Sequence, residues 1–443
     1  MKLRIHIPAF DIEVETVDEA PPPPPPPPPD PEPSTIADLP AEVLLYWSGG
    51  EIEHLASAPD GSGAVDGLSD ASTVGCLADL SSHGRPLVQA DPSKRPIAGR
   101  HPKGLGVALW GKGTRSLAAT SALAGAQHIY AVITPVGPDL SSQEPIPVPF
   151  KAGRQAIVSL GGTPDEAHSA VVGLEETSQI WLPDGGCFVD GIEAVAVGAQ
   201  YRRRIVRISR TSLAAGPLTL FDPIWPAQSY VHEVVVLSGS ATAEHHALVQ
   251  AHLARHKAAP VVALAVDSLS TGYGLTYHRS LAHLLSQYWR GGVSTPSIAM
   301  PGQRVQTALT LDAAKLAMVK GQGINVLVLE GGSNDIFQGA TWETTLERIL
   351  AYGAMASAAG WQVALCSVPE GPLWHDVNGV DRMADVQALN AYLAANWQAH
   401  GFAAFVPLGA PDALSDGLHY AATPTGVAAV AALVGAAVDT LLG

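Results

Sequence analysis

The chain has 443 residues, of which 47% are hydrophobic and 15% charged, enough apolar material for about two or three domains. Lys and Arg number 25 against 41 Asp and Glu, and a formal charge of −16 excludes phosphate-backbone binding, so no nucleic-acid partner is expected. Cys76, Cys187 and Cys366 form no CxxC pair and cannot build a disulfide framework.

Residues 3–17 alternate loosely, enough for one or two short strands. Lys2 and Arg4 are followed by His6, Pro8 and Asp11 rather than an apolar run, so no secretory signal is expected. Nine consecutive prolines fill positions 21–29. Proline fixes φ and lacks a donor, so the run predicts a stiff polyproline II rod of roughly 3 Å per residue. A spacer is favoured over a docking peptide, because no basic residue flanks the run. The expected division is therefore a short docking segment (1–20), a linker (21–40) and two larger domains. Residues 1–20 are too few to fold alone, so they are expected to dock on another protein or pair with copies of themselves as a homo-oligomer.

From 41 to 257 the pattern is that of an antiparallel β-sandwich. Short apolar segments at 107–110, 129–136, 155–160, 170–174, 192–197, 205–208 and 232–237 are separated by turn residues. A helix is expected at 243–256, with Leu248 and His252 one turn apart. The basic cluster Arg202-Arg203-Arg204 with Arg207 reads as a solvated strand face or turn.

After Pro260 the rhythm becomes strand–helix alternation. Strands are predicted at 260–266, 297–300, 324–330, 362–368 and 403–407, and helices at 274–289, 303–319, 341–359, 381–399 and 423–441. Five such units imply an α/β fold with a doubly wound, mostly parallel sheet. The apolar C-terminal run is short and holds Asp439, so no membrane insertion is expected.

Function in such a sheet sits at the carboxyl ends of its strands. Ser268 follows the first strand, where its hydroxyl could stand above the sheet beside a helix N-terminus. Gly302 follows the second, where a bare backbone N–H can approach a substrate closely. Asn334 follows the third and could donate its amide to a developing oxyanion. His419 precedes the last helix as a candidate general base, and Asp416 could fix its tautomer. Taken singly, each has a plainer role: Ser268 or Asp267 as a helix cap, Gly302 as a turn glycine, Asn334 as turn chemistry, His419 as a surface residue. Together they form an ordered set of a nucleophile, two donors and a base, each beyond a different strand. Ser270 and Ser333 are alternative nucleophiles, but neither directly ends the first strand.

In motif order, Val266-Asp267-Ser268-Leu269-Ser270, Gly302, Gly332-Ser333-Asn334-Asp335 and Asp416-Gly417-Leu418-His419 make residues 258–443 resemble the SGNH/GDSL hydrolase superfamily. The resemblance implies a flavodoxin-like fold. It implies Ser268 as nucleophile, His419 as base, Asp416 as its partner, and an oxyanion hole from Ser268, Gly302 and Asn334. No metal or organic cofactor is implied. Val266 departs from the family, which usually has glycine there, and could narrow the turn or the pocket. Earlier, Val74-Gly75 with Leu77-Ala78-Asp79-Leu80-Ser81, Gln89 with Arg95-Pro96-Ile97, and Glu233-Val234-Val235-Val236-Leu237 with Ala251-His252-Leu253-Ala254 resemble concanavalin/laminin-G-like domains of phage virion proteins, which are lectin-like jelly rolls. That family's calcium carboxylates have no counterpart here, so no metal is expected.

The combined expectation is a serine esterase that removes O-acetyl groups from a cell-surface polysaccharide. It would sit in a phage-like tail or spike, made in the cytoplasm and attached to other virion proteins through residues 1–20. A catalytically inactive receptor-binding or structural protein keeping the hydrolase fold is the alternative, with Val266 its sequence support. A free-standing lipase or thioesterase would have little use for the spacer and sandwich.

Overall fold

The computed structural model describes residues 2–7, 10–15, 42–48, 52–67, 72–111, 115–136, 155–160, 170–174, 180–181, 186–194, 201–209, 216–221, 229–267, 280–409, 414, 419–421, 423 and 426–443. The polyproline run, Ser268, Ser270 and Asp416 lie outside the described residues. Residues Met1–Ala37 form one compact unit and Asp38–Gly443 another. In the first, Lys2–Ile7 and Phe10–Glu15 pair antiparallel. The register sets Lys2, Arg4 and His6 opposite Glu15, Glu13 and Asp11, alternating with Leu3, Ile5 and Ile7 opposite Val14, Ile12 and Phe10. Opposite charges and apolar pairs across a ladder both favour that register.

The larger unit begins with two eight-stranded antiparallel sheets. In the first, Tyr230–Ser238 is central, pairing with Ala126–Thr134 on one side and with Val43–Ser48 and Val107–Trp110 on the other. The second runs from Ile180–Trp181 through Leu218–Leu220 to Leu55–Ala56. Trp47, Leu109, Ile129 and Val234 of the first sheet share one buried core with Leu77, Leu87, Leu117 and Leu218 of the second. The motif residues at 74–97 hold this arrangement together. Asp79 accepts hydrogen bonds from the backbone N–H groups of Tyr46 (3.0 Å), Ser81 (2.9 Å) and Arg85 (2.7 Å). Arg95 donates to the carbonyls of Ser57 (2.7 Å), Gln89 (3.1 Å) and Ala90 (3.1 Å).

The expected helix is present as Ala243–Leu253, continued by a 3₁₀ turn at Ala254–Ala258. Leu248 does not share a buried face with His252: it is exposed, while Val249, His252 and Leu253 are buried. His252, His256 and Arg255 all bond the buried carboxylate of Glu233 on the central strand. These contacts dock the helix by polar pairing as well as by apolar burial.

The rest of the unit is a four-stranded parallel sheet in the order Val261–Val266, Asn325–Glu330, Gln362–Cys366, Ala404–Val406. The strand expected at 297–300 is reduced to parallel bridges of Ser294 with Val261 and of Ser297 with Leu264, on the free edge of the first strand. Helices Val305–Val319, Trp342–Ala358 and Met383–Asn396 contribute to one core with the sheet, and Leu281–Tyr288 and Val427–Asp439 to another. Strands covered on both faces are mainly apolar: all six residues of Asn325–Glu330 are buried, with Val326 to Leu329 apolar between polar ends. No helix among the described residues is long and apolar enough to cross a membrane.

The part with the antiparallel sheets and the α/β part meet backbone to backbone. A Cβ on Gly104 would lie 2.7 Å from the Cα of Gly292, so only glycine permits the approach. Leu105 N–H donates to the Gly292 carbonyl (3.0 Å) and Thr295 N–H to that of Tyr201 (2.8 Å).

The Glu233 cluster predicts acid sensitivity. Burial pushes His256 from 6.5 down to about 4, so the unfolded chain takes up a proton there that the folded chain refuses. Burial alone would raise the Glu233 carboxyl, but hydrogen bonds from His252 and His256 and the nearby cations hold it below its ordinary 4.5. Both groups therefore contribute stability that is lost as pH falls, His256 from about 6.5 to about 4 and Glu233 below its ordinary value. Urea denaturation should show stability falling steadily through that window. Glu233→Ala, which strands three donors, should cost about 3–5 kcal/mol at neutral pH. A flat profile, or a loss within ordinary surface-mutation scatter, would contradict this.

Candidate active site

The carboxyl edge of the parallel sheet is built around acidic side chains taken out of water. Asp267, directly after the first strand, is fully buried and accepts a hydrogen bond from the Ser333 hydroxyl. Ser333 opens the short helix Ser333–Phe337 after the second strand, so this bond ties the first loop to the third. It also makes Ser333 a buried donor rather than a free nucleophile.

Asp335, two residues on, is buried as well. Its Oδ2 accepts Val305 N–H at 2.8 Å, at the start of the helix after Gly302, and its Oδ1 takes Arg348 at 2.7 Å. Met300 to Gln303 form a turn closed by Gln303 N–H on the Met300 carbonyl (3.1 Å), with Pro301 first and Gly302 second at φ +73°. That is the residue pair a type II turn requires. Space around Gly302 is open, and its N–H makes no hydrogen bond among the described residues. Asn334 Nδ2 donates at 3.2 Å to the carbonyl of Gln303, the residue after Gly302, so the third loop is tied to the turn that holds Gly302. The amide's second N–H remains for another acceptor.

His419 lies half-buried beyond the last strand. Its neighbour Tyr420 is buried and donates its hydroxyl to Glu330, the last residue of the second strand. Burial first, then the Glu330 charge, raises the Tyr420 pKa well above 10, so it stays a donor. Leu414 and Tyr420 form an antiparallel bridge. The structure thus brings Gly302, Asn334 and His419 to one edge of the sheet. Ser268 and Asp416 adjoin that edge in sequence but lie outside the described residues.

No family model and no curated protein matches the chain. Among solved structures, it is similar to a member of the lipolytic protein G-D-S-L family from Veillonella parvula DSM 2008, at 18% identity and a TM-score of 0.35, covering 40% of this chain and 97% of that one. It is also similar to the lipase/acylhydrolase from Enterococcus faecalis (19%, TM-score 0.34, 41% of this chain and 96% of the other). A third is an acetyl xylan esterase (12%, TM-score 0.33, 40% and 99%). Likeness at this level assigns no activity.

Sequence reasoning missed Glu330, Tyr420, Arg348 and Gln303, and named Asp335 only within its motif; these residues hold the loops rather than line them. It did single out Val266. That residue has φ +91°, a left-handed conformation that strains a β-branched side chain. Its side chain is fully buried in the core, where it packs under Gly331. A Cβ on Gly331 would lie 3.0 Å from Val266 Cγ1 and 3.1 Å from Val305 Cγ2. Val266 therefore fills space beneath the neighbouring loop.

The strain is measurable. Val266→Gly removes the left-handed penalty, about 1–3 kcal/mol, while Val266→Ala keeps it, and both lose the burial of the valine side chain. Val266→Gly should therefore be at least as stable as Val266→Ala in urea denaturation. At an ordinary strand position alanine wins by about 0.5–1 kcal/mol, and that ordering here would contradict the strain.

Proposed function

We propose that the chain is a serine esterase of the SGNH type acting on ester-linked acyl groups, most specifically O-acetyl groups of a cell-surface polysaccharide. The observation that supports the reading is the hydrogen bond of Asn334 Nδ2 to the carbonyl of Gln303, the residue that follows Gly302. In the proposed reaction Ser268 Oγ attacks the ester carbonyl while His419 takes its proton and Asp416 holds the imidazole. The carbonyl oxygen becomes an oxyanion bonded by the Gly302 and Ser268 N–H groups and by Asn334. As the C–O bond to the alcohol breaks, His419 returns the proton to the leaving oxygen. Water, deprotonated by the same histidine, then releases the acid and restores Ser268. No cofactor or metal takes part in this scheme.

The pairing order of the parallel sheet, with the 294–297 bridges outside the first strand, supports the flavodoxin-like assignment. The shared core of the two antiparallel sheets supports a lectin-like jelly roll that would hold the glycan or scaffold the enzyme. The proline spacer and the N-terminal hairpin support a tail- or spike-type virion protein. In it, residues 1–20 would bind other particle proteins or further copies of the chain.

Purified full-length chain should hydrolyse p-nitrophenyl acetate, and Ser268→Ala should bring the rate to background. Asn334→Ala should lower kcat by roughly 10²–10³-fold with little change in KM. Equal, background-level rates in wild type and Ser268→Ala would instead favour an inactive binding protein that keeps the fold.

A further inference from the structure

The basic cluster at 202–204 is not the solvated strand face or turn its sequence predicts. Arg203 is only 7% exposed, at the seam between the sandwich and the α/β part. Its guanidinium donates to the carbonyls of Leu105 (3.1 Å), Gly291 (3.1 Å) and Gly292 (3.2 Å), and approaches His256 Nδ1 at 3.4 Å. No carboxylate among the described residues pairs with it, and its Nε has no partner. A buried charge held only by dipoles is uncommon and costly.

Arg203 lines a cavity of about 320 Å³ together with Arg202, His256, Lys257, Lys320 and Asp190. Four cations thus face one carboxylate, in a chain whose formal charge is −16. That carboxylate is already engaged: Asp190 Oδ2 bonds Arg204 at 2.7 Å, and Oδ1 accepts Ile205 N–H at 3.0 Å. His256 is tied to Glu233 through Nε2 and carries no positive charge at neutral pH. Arg202 is fastened to the carbonyls of Met318 and Lys320, the latter at 2.8 Å, and Lys320 Nζ to that of Ala359 at 2.6 Å. Lys257 is half-buried, and its Nζ has no hydrogen-bond partner among the described residues. Among the described residues, the pocket therefore has fixed cationic walls, one ammonium without a hydrogen-bond partner and no carboxylate left unengaged.

We propose that this seam pocket is a binding site for a small organic oxyanion, a carboxylate or phosphate carried on a body about the size of one sugar. Its volume is at the lower end of the roughly 300–1,000 Å³ typical of small-molecule sites, and such sites favour domain interfaces. An anion there supplies the counter-charge that Arg203 and Lys257 lack. Because the walls come from both parts of the unit, occupancy also clamps them together. The inference does not depend on the esterase reading.

The test uses the full chain at low ionic strength, with calorimetry and thermal denaturation against sodium glucuronate, glucose 6-phosphate, inorganic phosphate and glucose. At least one oxyanion should bind at millimolar concentration or below and raise Tm, weakening as salt is added, while glucose does neither. Tighter binding of glucuronate identifies the site as one for carboxylates, and tighter binding of the two phosphates as one for phosphate. Arg203 also holds the seam, so Lys257→Gln is the informative variant. It should weaken binding at least fivefold with Tm in the absence of ligand unchanged. Binding of none of the three oxyanions, or binding unaltered in Lys257→Gln, overturns the proposal.

Discussion

Carboxylates buried at the carboxyl edge of the parallel sheet govern everything around them. Asp267, Glu330 and Asp335 are each out of water, and an ionised carboxylate there is tolerable only with donors at hydrogen-bond distance. Each takes its donors from another segment: Ser333 for Asp267, Tyr420 for Glu330, Val305 N–H and Arg348 for Asp335. The four bonds lash together loops and a helix that are apart in sequence. The candidate residues Gly302, Asn334 and His419 each sit on one of the lashed loops. Their alignment follows from the pairing of buried charge beneath them.

The same logic recurs at the seam with opposite sign. Glu233 is satisfied by two histidines and an arginine, and this fixes the connecting helix against the first antiparallel sheet. Beyond His256 lies Arg203, whose charge is met only by carbonyl dipoles. A buried anion surrounded by donors and a buried cation short of acceptors therefore stand on either side of one imidazole. Glycine-to-glycine contact at Gly104 and Gly292 keeps the two parts close enough for both.

The α/β part was legible because strands covered on both faces are written as apolar runs, and 260–266 and 326–329 are such runs. The 297–300 segment misled in extent: only Ser294 and Ser297 bridge to the first strand. Gly302 and Asn334 were legible as punctuation after strands. The bond of Tyr420 to Glu330 spans 90 residues and the latch of Asp335 on Val305 spans 30, so no local pattern announces either. Arg203 was misread for a related reason. Three consecutive arginines look solvated, and only closure of the seam decides which one is enclosed.

The esterase account stands or falls on the reactivity of one hydroxyl. Native full-length chain treated with a fluorophosphonate, then digested and sequenced by mass spectrometry, reports that reactivity without any assumption about substrate. The account predicts a single phosphonyl adduct on Ser268 that heat denaturation beforehand abolishes. No adduct, or an adduct on Ser270 or Ser333 with Ser268 unmodified, would contradict it.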